Sequence, residues 1–128
     1  MIVVDTSAIV AVMFAEPGSG AIANRLLDEP CVMSTANRVE LGIVIEAKSG
    51  PAGTQLLEEL LNRIDLDVVP VTTEVAEEAL VGWRRFGKGR HRAGLNLGDT
   101  FSYGLAMRLG APLLFVGEDF TRTDVALP

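Results

Sequence analysis

Cysteine, histidine and tryptophan are nearly absent from this chain of 128 residues, which has one of each. The single cysteine, Cys31, excludes an internal disulfide framework. One histidine and one cysteine are also too few ligands for a zinc-type metal site. We interpret Cys31 as a small apolar residue at the start of a buried strand.

Long apolar runs and a basic leader are also missing. Charged residues interrupt every apolar run well short of the about 18 residues that a membrane span requires. No basic region precedes the first apolar run, so we expect no signal peptide and a cytoplasmic location. Hydrophobic residues nevertheless make up 48% of the chain. This content indicates a sheet covered on both faces, together with apolar surface reserved for a partner.

Positive charge is scarce and unevenly placed. The chain has 11 Lys and Arg against 17 Asp and Glu, a net charge of −6, which disfavours non-specific binding of nucleic acid by the whole surface. One stretch, RRFGKGRHR, is basic, and we call it the basic segment: Arg84, Arg85, Lys88, Arg90, His91 and Arg92. It predicts contacts with a polyanion along one edge of the protein, although a solvated loop or a protein contact explains it equally well.

Short apolar runs alternate with helical patterns along the chain. The runs predict strands at Ile2–Val4, Cys31–Met33, Val68–Val71, Leu113–Val116 and Val125–Leu127. The helical patterns predict helices at roughly Ser7–Phe14, Gly20–Asp28, Ala36–Lys48, Thr54–Ile64, Thr73–Phe86 and Thr100–Leu109. This alternation predicts one α/β domain over residues 1–128, with a central parallel sheet of about four to five strands between helices.

Two predicted strands deliver acidic residues at their carboxyl ends. Asp5 ends the first strand, and Glu118 and Asp119 follow the strand at Leu113–Val116. Ligands of open α/β sheets bind beyond the carboxyl ends of the strands, so these acids are candidates for a site. Taken singly, Asp5 is also a typical helix cap and the others are typical turn residues.

Two further acids come from predicted helices. Glu40 shares a helix face with Ile43, Val44 and Ala47, so we expect this face to pack on the sheet and bury the carboxylate. Asp99 stands just before a helix, as an N-cap or first-turn residue. Ser102 lies one turn further on the same side and is a candidate for holding a water or supporting the site. Glu46 is interpreted as a surface residue and Asp124 as a turn residue.

Four acids at one end of a sheet require compensation. Two carboxylates about 5 Å apart repel by roughly 3 kcal/mol at an effective dielectric constant of about 20. A cluster of Asp5, Glu40, Asp99 and Asp119 is therefore compatible with folding only if it is protonated or binds a cation. Oxygen ligands select a hard ion, Mg²⁺ or Mn²⁺, and such ions commonly bind phosphate oxygens. A phosphodiester substrate is the natural expectation.

Four motifs carry a resemblance to a known family. IVVDTSAIVAV at the start, Glu40 after STAN, LNLGDTFSYGLA and PLLFVGEDF resemble the PIN-domain ribonucleases, and most closely the VapC-type toxins of bacterial type II toxin–antitoxin pairs. The resemblance implies a PIN-like three-layer α/β/α sandwich and a metal-dependent endoribonuclease that cleaves transfer or ribosomal RNA. It also implies a homodimer that is held inactive by a cognate antitoxin, whose tail covers the active site.

The resemblance assigns roles to residues. Asp5, Glu40, Asp99 and Asp119 match the acidic quartet that holds the metal and performs catalysis. Many relatives carry an acid two residues before the position of Asp119, where this chain has Gly117, so Glu118 is the alternative fourth acid.

The expected reaction is hydrolysis of an RNA phosphodiester by a metal-activated water. Asp5 and Asp99 are the expected direct ligands, with Thr6 or Ser7 orienting Asp5 by hydrogen bonding. His91 is interpreted as a phosphate or surface contact rather than a general base.

Three other readings remain to be weighed. The strongest is a non-catalytic PIN-like module that binds RNA or protein. A signalling receiver domain is disfavoured because Asp5 has no acidic neighbour and no lysine follows Lys88. A phosphatase of the D-x-D type is disfavoured because Ser7 occupies the second Asp position.

Overall fold

The computed structural model describes all 128 residues. Four short strands form the sheet: β1 (Ile2–Val4), β2 (Cys31–Ser34), β3 (Leu66–Val69) and β4 (Leu113–Leu114). They are all parallel and lie in the order β3-β2-β1-β4. The predicted parallel sheet is confirmed, with four strands. Its third strand begins two residues earlier than predicted, and its fourth ends at Leu114.

Five helices surround the sheet: α1 (Thr6–Met13), α2 (Ser19–Asp28), α3 (Thr35–Leu61), α4 (Thr73–Phe86) and α5 (Leu97–Leu109). Strand side chains alternate between the two faces of the sheet. Val3 and Leu113 pack with residues of α4 and α5, whereas Val4 and Met33 pack with residues of α1, α2 and α3. Both faces are therefore covered, which gives the expected three-layer α/β/α sandwich.

The two helices predicted at Ala36–Lys48 and Thr54–Ile64 are joined as α3 across a kink. Gly50 lies at the kink with φ 64° and ψ −164°, a conformation that is strained for other residues, and Pro51 follows it. Proline has no N–H to donate and is suited to the first position of a helix, so the second half of α3 begins there in a new direction.

Helix α5 begins at Leu97 rather than at the predicted Thr100. Asn96 is its N-cap: the Asn96 side chain accepts a hydrogen bond from the Asp99 amide at 2.9 Å, and the Asp99 carboxylate accepts one from the Asn96 amide at 3.0 Å. This reciprocal capping box satisfies two free amides at the helix start. Asp99 is thus a first-turn residue and not the N-cap.

The fifth strand predicted at Val125–Leu127 is wrong. The segment has no regular structure, although the Leu113 amide donates a hydrogen bond to the Ala126 carbonyl at 3.0 Å. Val125 is buried in the core, and this burial accounts for an apolar residue at a position outside the sheet. Cys31 lies at the start of β2 with 1% of its surface exposed, as predicted, and burial raises its pKa to about 11. None of the five helices combines the length and the apolar character that a bilayer crossing demands.

Candidate active site

Asp5 lies at the carboxyl end of β1, which has β2 on one side and β4 on the other. The chain continues from β1 to β2 and β3 on one side and returns to β4 on the other, so Asp5 lies where the strand order reverses. It is 4% exposed and both of its oxygens accept hydrogen bonds. Oδ2 accepts from the Ser7 amide at 3.0 Å, and Oδ1 accepts from the Ser102 hydroxyl at 2.5 Å. Asp5 is the N-cap of α1, so capping and a place in the site are compatible roles for the same residue.

Asp99 lies beside Asp5 at the start of α5. Burial raises the pKa of Asp99 from its ordinary value of 3.8 to about 7, and the negative charges of Asp5 and Asp119 contribute to the rise. The hydrogen bond from the Asn96 amide acts in the opposite direction. Asp99 therefore lies close enough to Asp5 and to Asp119 for each of their charges to disfavour its ionised form.

Asp119 rather than Glu118 is the neighbour of Asp99. Both follow β4, but only Asp119 affects the pKa of Asp99. The Glu118 side chain is 82% exposed and lies 3.9 Å from the Arg122 guanidinium. The structure thus brings Asp5, Asp99 and Asp119 together and leaves Glu118 at the surface.

Glu40 borders this group from α3. Its Oε1 accepts hydrogen bonds from the Thr6 hydroxyl at 2.5 Å and from Asn37 Nδ2 at 3.4 Å. Asn37 Nδ2 also donates to the Gly98 carbonyl at 2.9 Å. A Cβ on Gly98 would overlap the Glu40 carboxylate, so these two residues are in direct contact.

The predicted packing of the Glu40 face on the sheet is wrong. Ile43 is 64% exposed and Ala47 is exposed, whereas Leu41 and Ile45 are buried against the core. A helical periodicity identifies an apolar face, but α3 has two such faces and only one meets the sheet. Glu40 is half-buried at the border of an apolar surface.

The hydroxyl groups of Thr6 and Ser7, next to Asp5 in the sequence, form hydrogen bonds with groups other than Asp5. The Thr6 hydroxyl binds Glu40, and the Ser7 hydroxyl accepts a hydrogen bond from the Val116 amide at 3.0 Å. Of the two residues expected to orient Asp5 by hydrogen bonding, Ser7 does so through its backbone amide, whereas Thr6 does not. The second donor to Asp5 is the Ser102 hydroxyl. Sequence reasoning missed Asn37, which is 1% exposed and connects Glu40 to Gly98. Its position after Ser34, the N-cap of α3, was the available signal.

The carboxylate oxygens of this site are donors of the type that a hard cation binds, but they are not already arranged as a complete set of ligands. No three carboxylate, imidazole or thiol side chains are arranged as ligands of one metal ion. A bound cation would nevertheless offset both the burial of the Asp99 carboxylate, which is the main cause of its raised pKa, and the charges of Asp5 and Asp119, and the donors are all oxygens. Asp5, Asp99 and Asp119 therefore fit Mg²⁺ or Mn²⁺ in charge and donor type.

Some side chains of the basic segment are bound within the chain. Arg85 donates to Asp124 at 2.9 Å, and Asp124 also accepts from the Tyr103 hydroxyl at 2.9 Å. Asp124 is thus more than the turn residue that the sequence suggested. His91 Nδ1 accepts a hydrogen bond from the Ala93 amide at 3.0 Å.

The rest of the basic segment faces outward. The Arg90 guanidinium stacks on Trp83, 4.7 Å from the ring centre. The side chains of Arg84, Lys88 and Arg92 are exposed and form no hydrogen bond or ion pair within the chain. These three are the side chains that are free to contact an anionic partner.

An α/β/α sandwich with acidic side chains at the carboxyl edge of its parallel sheet is the architecture of a PIN domain, and the family model described as PIN domain matches residues 2–126. Among curated proteins, Ribonuclease VapC of Mycolicibacterium smegmatis is 48% identical over 125 residues, which cover 97% of each chain. Ribonuclease VapC30 of Mycobacterium tuberculosis is also 48% identical, over 97% of this chain and 95% of its own. The chain belongs to the PIN-domain family and, within it, to the VapC ribonucleases.

Solved structures agree with this fold. VapC20 of Mycobacterium tuberculosis, described as a sarcin–ricin loop cleaving toxin, has a TM-score of 0.77 at 18% identity, over 98% of this chain and 97% of its own. VapBC2 from Rickettsia felis, bound to a DNA fragment from their promoter, has a TM-score of 0.78 at 17% identity, over 100% and 98%. At these identities the likeness concerns the fold.

Proposed function

We propose that this chain is the toxin of a toxin–antitoxin pair, an endoribonuclease that hydrolyses RNA phosphodiesters with the help of Mg²⁺ or Mn²⁺. The 48% identity to proteins named ribonuclease VapC, over nearly the whole chain, supports the activity. The observation that carries the chemistry is the burial of Asp99 beside Asp5 and Asp119: burial, together with these two negative charges, raises the pKa of Asp99 to about 7.

Asp5, Asp99 and Asp119 would hold the ion, with Glu40 at the border of the site. A bound divalent cation lowers the pKa of a water and offsets negative charge on the phosphodiester. The chain's own contribution is to hold these acids still before substrate arrives. Ser102 and the Ser7 amide orient Asp5.

Two of the other three acids, Asp99 and Glu40, have comparable supports. The Asn96 amide orients Asp99, and Thr6 together with Asn37 orients Glu40. These donors hold the carboxylates of Asp99 and Glu40 in place near the carboxyl edge of the sheet. The arrangement suits the binding of a cation and the phosphate that accompanies it.

The test uses the purified chain, free of any antitoxin, with end-labelled total RNA in Mg²⁺, Mn²⁺ or EDTA. We expect discrete fragments that require the metal and disappear with Asp5→Asn. Asp28→Asn, the same chemical change at an exposed position on α2, is the matched control and should cleave normally. Cleavage that persists in EDTA or with Asp5→Asn contradicts the proposal.

A second candidate is a PIN-like module that binds RNA or protein without cutting. The observation that favours it is the lack of three side chains arranged as ready metal ligands. Such a module would bind RNA with similar affinity before and after Asp5→Asn, and neither form would produce fragments.

The proposed partners are a transfer or ribosomal RNA and a cognate antitoxin. Two of the similar folds come from structures described as a toxin–antitoxin complex from Klebsiella pneumoniae and as FitAcB from Neisseria gonorrhoeae. A small reading frame immediately upstream of the gene should encode the antitoxin. Its product should co-purify with this chain and suppress the cleavage.

The proposal includes a homodimer that forms through one apolar face. Val39, Ile43 and Leu97 are 61%, 64% and 75% exposed, and together with Phe101 they form what we call the α3/α5 face. This face adjoins Glu40, so a two-fold axis there would bring two acidic sites near each other. Ile43→Glu should convert a dimer to a monomer in sedimentation experiments. Leu27→Glu, at an equally exposed position on α2, should not.

A further inference from the structure

A groove of about 570 Å³ lies between α4 and the beginning of α5. Ala76, Ala79, Leu80 and Trp83 form its α4 side, at the i, i+3, i+4 and i+7 positions of one helical face. Seven of its ten lining residues are hydrophobic, and its only charged side chain is Lys88. The groove therefore offers an apolar interior with one cation.

Trp83 lines this groove and its ring packs against Gly87 and Arg90. Its ring lies against Gly87, where a Cβ would collide with the indole, and the Arg90 guanidinium stacks 4.7 Å from the ring centre. Arg90 is itself held, because its Nε donates to the Arg84 carbonyl at 3.1 Å. The indole nevertheless remains 40% exposed. An exposed, immobilised aromatic ring is a surface on which a planar group can stack at little entropic cost.

The loop that carries Lys88 is ordered by backbone hydrogen bonds. The Lys88 amide donates to the Leu95 carbonyl at 2.9 Å, and the Leu95 amide donates to the Phe86 carbonyl at 2.9 Å. The His91 amide closes a turn onto the Gly87 carbonyl at 3.0 Å. The basic side chains of this loop thus extend from a hydrogen-bonded backbone, in a chain whose net charge is −6. This positive charge is complementary to an anionic chain such as a strand of nucleic acid.

The groove adjoins the acidic site at Asn96. Asn96 and Thr100 line the groove, and Asp99 lies between them in the sequence. The Asn96 amide donates to the Asp99 carboxylate at 3.0 Å, so one residue contacts both places. A strand of nucleic acid whose phosphate reaches the acids therefore has an adjacent base within reach of the groove.

We propose that this groove binds one unpaired base of the RNA substrate, stacked on Trp83, with a neighbouring phosphate on Lys88. The proposal deepens the ribonuclease function proposed above and rests on it. A base that enters an apolar groove must be free of its pairing partner, so the substrate class is RNA that is single-stranded at the cleavage position. Stacking on an aromatic ring tolerates all four bases, so the groove selects unpaired structure more than sequence.

The sole tryptophan of the chain makes the groove directly observable. We would titrate Asp5→Asn protein, which should bind RNA without cutting it, with single-stranded oligouridylate and follow tryptophan fluorescence. Stacking predicts saturable quenching. An abasic oligomer with the same number of phosphates, and a fully paired duplex, should bind at least about five-fold more weakly and quench little.

The chain's only two lysines provide a matched pair of variants. Lys88 lies at the groove, whereas Lys48 lies on α3 beside the Phe14 ring, and both are exposed, so neither change should disturb the core. Lys88→Glu should weaken oligouridylate binding and reduce the slope of log affinity against log salt by about 0.7 for one lost phosphate contact. Lys48→Glu should leave both unchanged. Equal effects of the two variants overturn the proposal.

The outcomes separate this proposal from the one on which it rests. If the wild-type chain cleaves RNA but oligouridylate does not quench the fluorescence, the ribonuclease function holds and the base subsite is wrong. If quenching occurs and metal-dependent cleavage does not, the subsite holds and the chain is a binding module. If Leu80→Glu alters the oligomeric state and leaves the quenching intact, the groove is an interface between protein chains and the subsite is wrong.

Discussion

Gly98 and Glu40 are in direct contact at the border of the acidic site, and no side chain larger than hydrogen fits at position 98 beside the Glu40 carboxylate. The Gly98 carbonyl also accepts a hydrogen bond from Asn37 at 2.9 Å. Helices α3 and α5 are therefore joined next to the two acids that they carry, Glu40 and Asp99. The position of the Glu40 carboxylate on α3 therefore depends on α5, the helix that carries Asp99.

Gly98→Ala should impair cleavage far more than folding. The new methyl group displaces the end of a flexible side chain, so Glu40 moves and loses its bond to Thr6 while the backbone stays in place. A misplaced group at an active site commonly reduces turnover by about 10- to 100-fold. Cleavage rate and melting temperature measure the two effects. Gly20→Ala, within α2 and with open space around it, should keep full activity and be slightly more stable.

Ser102→Ala should destabilise the protein and weaken binding of the divalent ion. Ser102 is fully buried and donates to the charged Asp5 at 2.5 Å, a type of hydrogen bond worth about 1.5–3 kcal/mol. Urea unfolding and Mn²⁺ titration measure the two losses. Ser49→Ala, at an exposed serine of α3, is the control. Unchanged Mn²⁺ affinity in Ser102→Ala would show that Ser102 has only a structural role.

Without metal, the protein should lose stability as the pH rises from about 4 through about 7. Burial and the neighbouring charges raise the pKa of Asp99 from 3.8 to about 7, so over this interval the native state binds more protons than the unfolded chain. Between pH 5 and 8 the loss from this group is about 1–3 kcal/mol. Unfolding in urea with EDTA at both pH values measures it. Asp99→Asn should flatten the dependence, and Mg²⁺ at pH 8 should restore stability to the unsubstituted chain.

The only tyrosine of the chain, Tyr103, should ionise at unusually high pH. Burial raises its pKa from 10.0 to about 12, and the hydrogen bond to the negatively charged Asp124 contributes to the rise. Phenolate absorbance measures the titration, with circular dichroism to confirm that the chain is folded. Asp124→Asn should lower the pKa towards 10, whereas Asp67→Asn, an exposed change on β3, should not. No shift with Asp124→Asn would contradict the contact.

The alternation of strands and helices was predictable because each element has its own local spacing of apolar residues. The apolar strands and the helical patterns between them repeat at the spacing of their own secondary structure, so the sheet and its covering helices follow from the sequence. Asp5 was identifiable for the same reason, since a charged residue at the end of a buried strand interrupts an apolar pattern.

The remainder depends on contacts between distant residues. The start of α5 was misplaced because Asn96 and Asp99 cap each other, and either alone is a plausible cap. The environment of Glu40 was misjudged because periodicity does not reveal which apolar face of α3 meets the sheet. The role of Asp124 depends on Tyr103 and Arg85, 21 and 39 residues away. No short pattern carries such information.

Two of the acids begin helices as well as forming the site: Asp5 is the N-cap of α1, and Asp99 completes the capping box of α5. Replacing an N-cap by alanine costs about 0.5–2 kcal/mol. A gene copy released from selection for activity would therefore still be penalised for losing these residues, because its product would fold less well. Conservation of these two acids among descendants of this chain is therefore weak evidence that the descendants are active. A descendant that has lost its activity would still carry Asp5 and Asp99.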